Sequence, residues 1–317
     1  MIKNKLIKLL IILAFGYVTQ VNACDVCGCQ VGGGGLGPEL QANRHYLGLD
    51  YSYTQFRSNI DWTKENESLG GSYFSDEYSD DKYHSLNLQL NLALSSSLRT
   101  FIKQPLKYHI EQSSENNQKL YGLGDPQFGL QWMPLNQSKI EAINFKQSFM
   151  MQLGVQAPLG DYQVKNKIGL RLNENIQLGT GSWAELLGIS YTLRNRYWGV
   201  FQSGQLLRYY ENDLNYQKGN QWSYDLKFIS YEEWRMYSYS YALSFNYQYG
   251  EPDEVNSQVR KNRGGESWNL GPDLQFAFSN LILQFSYRYP IWQEFYIQKN
   301  AQIDGGEVYQ FSTGWYF

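Results

Sequence analysis

Three cysteines stand within six residues, Cys24, Cys27 and Cys29, and they are the only thiols in the chain. Thiolates so close together could chelate a soft metal such as copper(I) or zinc. In an oxidising compartment the same three could form one disulfide and leave one thiol over, and acylation of Cys24 would leave Cys27 and Cys29. The tail lacks the second ligand cluster that completes a zinc module. Metal capture, disulfide chemistry and a lipid anchor therefore all stay open.

A second group is basic. Arg99, Lys103, Lys107 and His109 alternate with Leu98, Ile102, Leu106, Tyr108 and Ile110. On an extended strand this spacing turns the four polar groups to one side. Asp225, Lys227, Asp273 and Arg288 occupy similar alternating contexts and could neutralise part of that row. They would then form either a structural network inside a packed barrel or a selectivity element in an open pore. A third group, His84 beside Asp80 and Asp81, has the residue types of an acid–base pair. No G-x-S-x-G or H-E-x-x-H accompanies it, so the expectation is a polar cluster at a membrane interface and a protein that is not an enzyme. Gly32 to Gly37 spells G-x-G-x-x-G, but no strand-like segment precedes it and Pro38 and Glu39 follow. It reads as a tether, and no cofactor is expected.

The elements that must carry these residues follow from composition and period. The 317 residues are 42% hydrophobic, 16% aromatic and 18% charged, with a formal net charge of -3. This balance lacks the clustered positive charge of a nucleic-acid binder. Residues 1–23 begin with Lys3, Lys5 and Lys8 and continue through the short apolar run Leu9 to Phe15 to Val21-Asn22-Ala23, the layout of an export signal. Residues 24–43 form the Cys/Gly-rich tail, and 44–317 the folded domain.

Within that domain the period is two. Leu86, Leu88, Leu90, Leu92 and Leu94 alternate with Ser85, Asn87, Gln89, Asn91 and Ala93; Tyr237 to Tyr249 repeats the pattern with Ser, Ala, Asn and Gln between. Such segments of 10 to 13 residues exceed the usual strand of a soluble sandwich. They match strands that cross a bilayer at a tilt, apolar side to lipid and polar side to a lumen. A charge on the lipid side would cost about 2–4 kcal/mol at the midplane, which turns the basic row inward. The expected fold is an all-β, antiparallel up-and-down transmembrane barrel of about twelve strands, with fourteen as the alternative if Ile168 to Leu178 and a partner also cross. Short links at 95–97, 194–196, 231–234 and 279–280 alternate with long ones, including 57–82 and 158–182. The link 57–82 holds seven acids against three bases and reads as an acidic rim. Pro105, inside the third strand, is expected to cause a bulge or a local irregularity. Tyr309, Phe311, Trp315 and the terminal Phe317 share one face, a pattern resembling the signal read by the barrel assembly machinery. The expected partners are outer-membrane lipid, that machinery and a small-molecule solute.

Gly122-Leu123-Gly124-Asp125, Ala157-Pro158-Leu159-Gly160-Asp161-Tyr162, Gln177-Leu178-Gly179-Thr180-Gly181-Ser182-Trp183, Leu186-Leu187-Gly188-Ile189-Ser190-Tyr191 and Tyr289-Pro290-Ile291-Trp292-Gln293 resemble the meta-pathway phenol-degradation family of bacterial outer-membrane β-barrel transporters. Leu159 departs from it, since Thr is usual there. The resemblance implies a barrel in the cell outer membrane and a transport or channel role for small, aromatic or hydrophobic molecules. It implies no particular binding residues.

Overall fold

In the computed structural model, which describes residues 44–60, 77–113, 117–136, 145–166, 169, 171–172, 174–233, 237–260, 263–296 and 301–317, every alternating segment is a strand. The long strands are β1 (Tyr46–Ile60), β2 (Glu77–Ala93), β3 (Leu98–Ser113), β5 (Gln127–Asn136), β6 (Lys146–Gln156), β7 (Ala184–Arg194), β8 (Trp198–Tyr209), β10 (Gln221–Glu233), β11 (Tyr237–Gly250), β14 (Gly265–Phe278), β15 (Leu281–Phe295) and β16 (Ala301–Tyr316). Each pairs antiparallel with the long strand before and after it, and β1 meets β16 from Tyr46↔Tyr316 to Ile60↔Ala301. Twelve strands thus close into a ring. Four short strands are additional: β4 (Asn117–Leu123) on the wall, and β9 (Tyr216–Gln217), β12 (Glu254–Val255) and β13 (Gln258–Val259), which form a small sheet above it.

The two faces of the wall differ as the alternation requires. On β1, Leu47, Leu49 and Tyr51 are exposed outward while Tyr46, Gly48 and Asp50 are buried; on β2, Leu86 and Leu88 are exposed. A continuous outer face of Leu, Ile, Phe and Trp is stable only against hydrocarbon. No helix among the described residues is long and apolar enough to cross a membrane; the strands make the crossing. His84 packs outward against Tyr53 at 4.8 Å and Tyr108 at 5.5 Å between ring centroids, and Tyr309 lies 5.3 Å from Tyr287. This belt of amphipathic rings marks the outer interface.

The short links at the other end are held by side chains. Ser95 Oγ accepts from Ser97 N and Leu98 N, and Asn195 Oδ1 accepts from Tyr197 N and Trp198 N. Ser279 takes a positive φ of 52° in the tightest of these links. Both chain ends of the barrel lie here too, joined by His45 N to Phe317 O and Phe317 N to His45 O, each 3.1 Å.

Two expectations are corrected, and a third, at Pro105, is met as a local irregularity rather than a bulge. Glu77 to Asp81 belong to β2 rather than to a loop, because β1 and β2 remain paired as far as Ile60↔Glu77, so the proposed acidic rim loses these residues; Asp61 to Asp76 lie outside the described residues. Residues 117–123 form β4 rather than part of a long link. Pro105 causes no bulge against β2, whose register passes through Asn87↔Pro105 unshifted. The irregularity lies on its other side. There β3 pairs with β5 up to Lys103↔Gln127 and with β4 from Leu106↔Leu123, so β4 and β5 cover successive halves of one strand, interrupted at residues 124–126. In an antiparallel ladder a residue's N–H and C=O face the same neighbour. Pro105 O accepts from Gly124 N at 2.9 Å, so the donor that proline lacks would have faced Gly124. Gln104 Nε2 supplies it instead, donating to Gly124 O and Pro105 O at 3.0 Å each.

Candidate functional site

The interior divides into a packed half and a half with space. In the packed half, Asp273 accepts from Arg288 Nη1 at 2.6 Å and Ser244 Oγ at 2.6 Å and pairs with Lys227 Nζ at 2.9 Å. The three charged side chains are each about 5% exposed. Asp225 accepts from Asn246 Nδ2 at 3.0 Å, and Asn246 Oδ1 accepts from Gln248 and Asn269. The four residues read from β10, β14 and β15 thus face inward, within a connected polar network.

At the end where the chain termini meet, the ring of Tyr46 lies across Gly48 and Gly314 and packs on Tyr316 and Ile282. A Cβ on either glycine would sit 2.3 Å from that ring. Arg99, fully buried, and Asn91 lie at the same level. Higher on β3, the ring of Phe101 reaches across Gly154 to Leu186 and Leu207.

The other half is organised by the segment after β6, described at residues 157–166, 169, 171–172 and 174–182, which turns inward. Three side chains of β3 and its neighbour hold this segment. Lys107 Nζ donates to Leu178 O at 2.7 Å. His109 Nδ1 lies 2.9 Å from Ile176 O, and because a carbonyl only accepts, that nitrogen carries the proton. Asp125, buried at the strand break, accepts from Gly160 N at 2.8 Å, Thr180 N at 2.7 Å and Thr180 Oγ1 at 2.8 Å. Gly160 and Gly179 touch backbone to backbone; a Cβ on Gly179 would fall 2.2 Å from Gly160 O. Gln177 braces the segment from within, its amide bonding Val164 N, Val164 O and Leu172 O. Above it, Glu174 meets Arg171 at 3.0 Å, Arg263 at 3.4 Å and Arg260 at 3.7 Å, which ties it to the strip bearing β12 and β13. Tyr216 of β9 donates to Asp253 at 2.7 Å; burial, and then the Asp253 carboxylate, push its phenol well above the usual tyrosine value, so it stays protonated.

Between this segment and the wall lies a cavity of about 120 Å³. Its walls include the inward faces of Phe56, Tyr83 and His109, the ammonium-bearing Lys103 and Lys107, and Tyr216. Phe56 and Tyr83 meet edge to face at 5.6 Å, and Tyr83 meets His109 in the same way at 4.8 Å. Of the basic row, Lys107 and His109 anchor the inner segment, Arg99 is enclosed below, and Lys103 faces the cavity.

The remaining sequence candidates fall elsewhere. His84 Nδ1 bonds Tyr51 Oη at 2.8 Å on the outer face, while Asp81 lies on the inner face bound by Ser79 Oγ, and Asp80 is engaged by Gln55, Arg57 and Lys82. The parity of the strand therefore separates His84 from Asp81. Tyr309, Phe311, Trp315 and Phe317 are exposed outward. Cys24, Cys27, Cys29 and the export signal lie outside the described residues; among the described residues no cluster of three metal-ligating side chains occurs.

The sequence reading missed Asp125, Glu174 and the aromatic cavity walls. A signal was present for Asp125. The three glycine-rich segments 122–125, 157–162 and 177–183, noted for their resemblance to one family, converge on its carboxylate.

Residues 39–301 match the profile of the family described as "Putative MetA-pathway of phenol degradation". Among solved structures, the COG4313 outer membrane channel from Pseudomonas putida F1 superposes with a TM-score of 0.65 at 15% identity, covering 89% of this chain and 100% of that one. The beta domain of the Bordetella autotransporter BrkA gives 0.43 at 11% identity, covering 87% and 100%. The CymD monoaromatic hydrocarbon channel gives 0.36 at 9%, covering 87% and 89%. A comparison with curated proteins by sequence found no match. The likeness to the Pseudomonas putida channel is one of fold, an outer-membrane β-barrel.

Proposed function

The chain belongs to the MetA-pathway phenol-degradation family, and from that premise we propose that it is a non-enzymatic outer-membrane channel for small apolar and aromatic molecules. The observation that carries this reading is the cavity between the inner segment and the wall. Its volume of about 120 Å³ compares with the ~150 Å³ of an engineered cavity that accepts benzene. Aromatic edges form one side of it and a few placed polar groups the other, the usual composition of a small-molecule site. A barrel of the same fold in Pseudomonas putida is an outer membrane channel, which supports the reading. In this mechanism solute enters from outside beside residues 171–180, rests in the cavity, and leaves when the inner segment or the Tyr46 ring moves. The outward aromatic row ending in Phe317 serves a separate step, recognition by the assembly machinery.

The test is uptake by intact cells. Cells carrying the barrel should accumulate a labelled phenol several-fold faster than cells without it, while arabinose and copper uptake stay unchanged. Equal phenol uptake in both would leave a structural barrel as the better account.

A further inference from the structure

The cavity carries a charge pattern that a neutral aromatic solute does not use. Lys103 projects from the inner face of β3 into it, and no hydrogen bond or ion pair to its ammonium is found among the described residues. The carboxylate that acts on it, Asp50, does so through space without an ion pair inside 4 Å. Lys107 spends one of its three donors on Leu178 O, and Lys218 also borders the space while lying over the Tyr209 ring. The lining holds Lys103, Lys107, Lys218 and Arg171 against Glu174, with Asp50 and Asp125 acting on the two β3 lysines and Asp253 opposite Arg263 at Tyr216 on the roof. Asp125 is engaged by backbone and hydroxyl donors and Glu174 by three arginines, which leaves Asp50 as the carboxylate that acts on Lys103. A surplus of positive charge in a partly enclosed space favours an anion, because its field is focused there.

Ring edges complete the requirement. The Phe56, Tyr83 and His109 stack forms one apolar wall, and Tyr216 faces it from the roof. The space is of the size that takes a single aromatic ring.

We propose that this cavity is a binding site for monocyclic aromatic carboxylates, with the ring against Phe56, Tyr83 and Tyr216 and the carboxylate on Lys103. The proposal deepens the channel reading and rests on the same cavity, but its test is equilibrium binding and needs no flux. Benzoate is titrated into the purified full-length barrel in detergent, beside benzyl alcohol and acetate. Benzoate should bind at least ten-fold more tightly than either, since it alone offers both a ring and a charge-assisted acceptor. Lys103→Met should weaken benzoate about ten-fold or more and leave benzyl alcohol unchanged, and Lys103→Arg should restore most of the loss. Heat-modifiable gel migration checks that each variant is folded. Benzoate binding no tighter than benzyl alcohol in the unmodified protein overturns the proposal without any variant. Acetate binding as tightly as benzoate, or an unchanged benzoate affinity in folded Lys103→Met, overturns it as well. Benzoate binding without phenol uptake would keep the site and discard the channel; uptake without benzoate preference would do the reverse.

Discussion

Replacing Asp125 by alanine removes one carboxylate and should release the inner segment while sparing the barrel. Asp125 accepts from Gly160 N, Thr180 N and Thr180 Oγ1 within 2.8 Å, in a buried setting. The Thr180 hydroxyl has a second acceptor in Ser182 O at 3.2 Å and can turn to it. Two backbone donors have no such relief, and each buried donor left without an acceptor costs about 1–3 kcal/mol. The sum is about 2–6 kcal/mol, and entry of water brings it toward the lower end. A loss of about 2–3 kcal/mol shifts the docked-to-released ratio roughly 30- to 150-fold. The strands are held by their own ladders, so wall closure and heat-modifiable migration should persist. Limited proteolysis in detergent should then cleave within residues 157–182 at least ten-fold faster than in the unmodified protein, and bilayer recordings should show more frequent openings. Asp125→Asn keeps one acceptor and sets an NH2 against the other donor, so it should fall between. Identical cleavage rates and identical recordings for folded Asp125→Ala would refute the latch.

Asp273→Ala removes the carboxylate bonded to buried Lys227 and Arg288 and leaves them only the more distant Asp225, a loss of about 3–5 kcal/mol at most; the folded band on gels should convert at a clearly lower temperature, and an unchanged conversion temperature would contradict the network. Glu174→Gln weakens the tie to Arg171, Arg260 and Arg263 and should raise opening frequency several-fold without altering that conversion temperature. Deleting Phe317 removes an outward ring and two backbone bonds to His45; barrel recovered from the outer membrane should fall several-fold while refolding of purified protein into detergent stays efficient.

Much of the wall was legible because hydrocarbon imposes a strict rule on it. Leu86 to Leu94 must show one apolar face wherever lipid touches the strand, and a two-residue period follows. The rule lapses above the membrane. Glu77 to Asp81 and Asn117 to Leu120 extend strands beyond the aromatic belt, where neither face need be apolar, so their sequences look like loops. The inward side of β3 could be assigned by parity, but its roles could not. Lys107, His109 and Lys103 are equivalent in alternation, and only the placement of residues 157–182 gives the first two a carbonyl each and leaves the third facing open space. That placement depends on contacts 35 and 55 residues apart in sequence, which no local pattern encodes. The clue at Asp125 was compositional: glycines at 160 and 179 have no Cβ because two backbones meet there.

The interrupted strand also makes the circumference mechanically uneven. The wall strands β10, β11, β14 and β15 are each laddered on both flanks and cross-linked behind by Asp273, Asn246 and their partners. β4, by contrast, is laddered to β3 alone among the described residues. Deuterium should therefore enter its amides long before those of β11, and swelling of the cylinder to admit a bulkier guest would be confined to that one compliant sector.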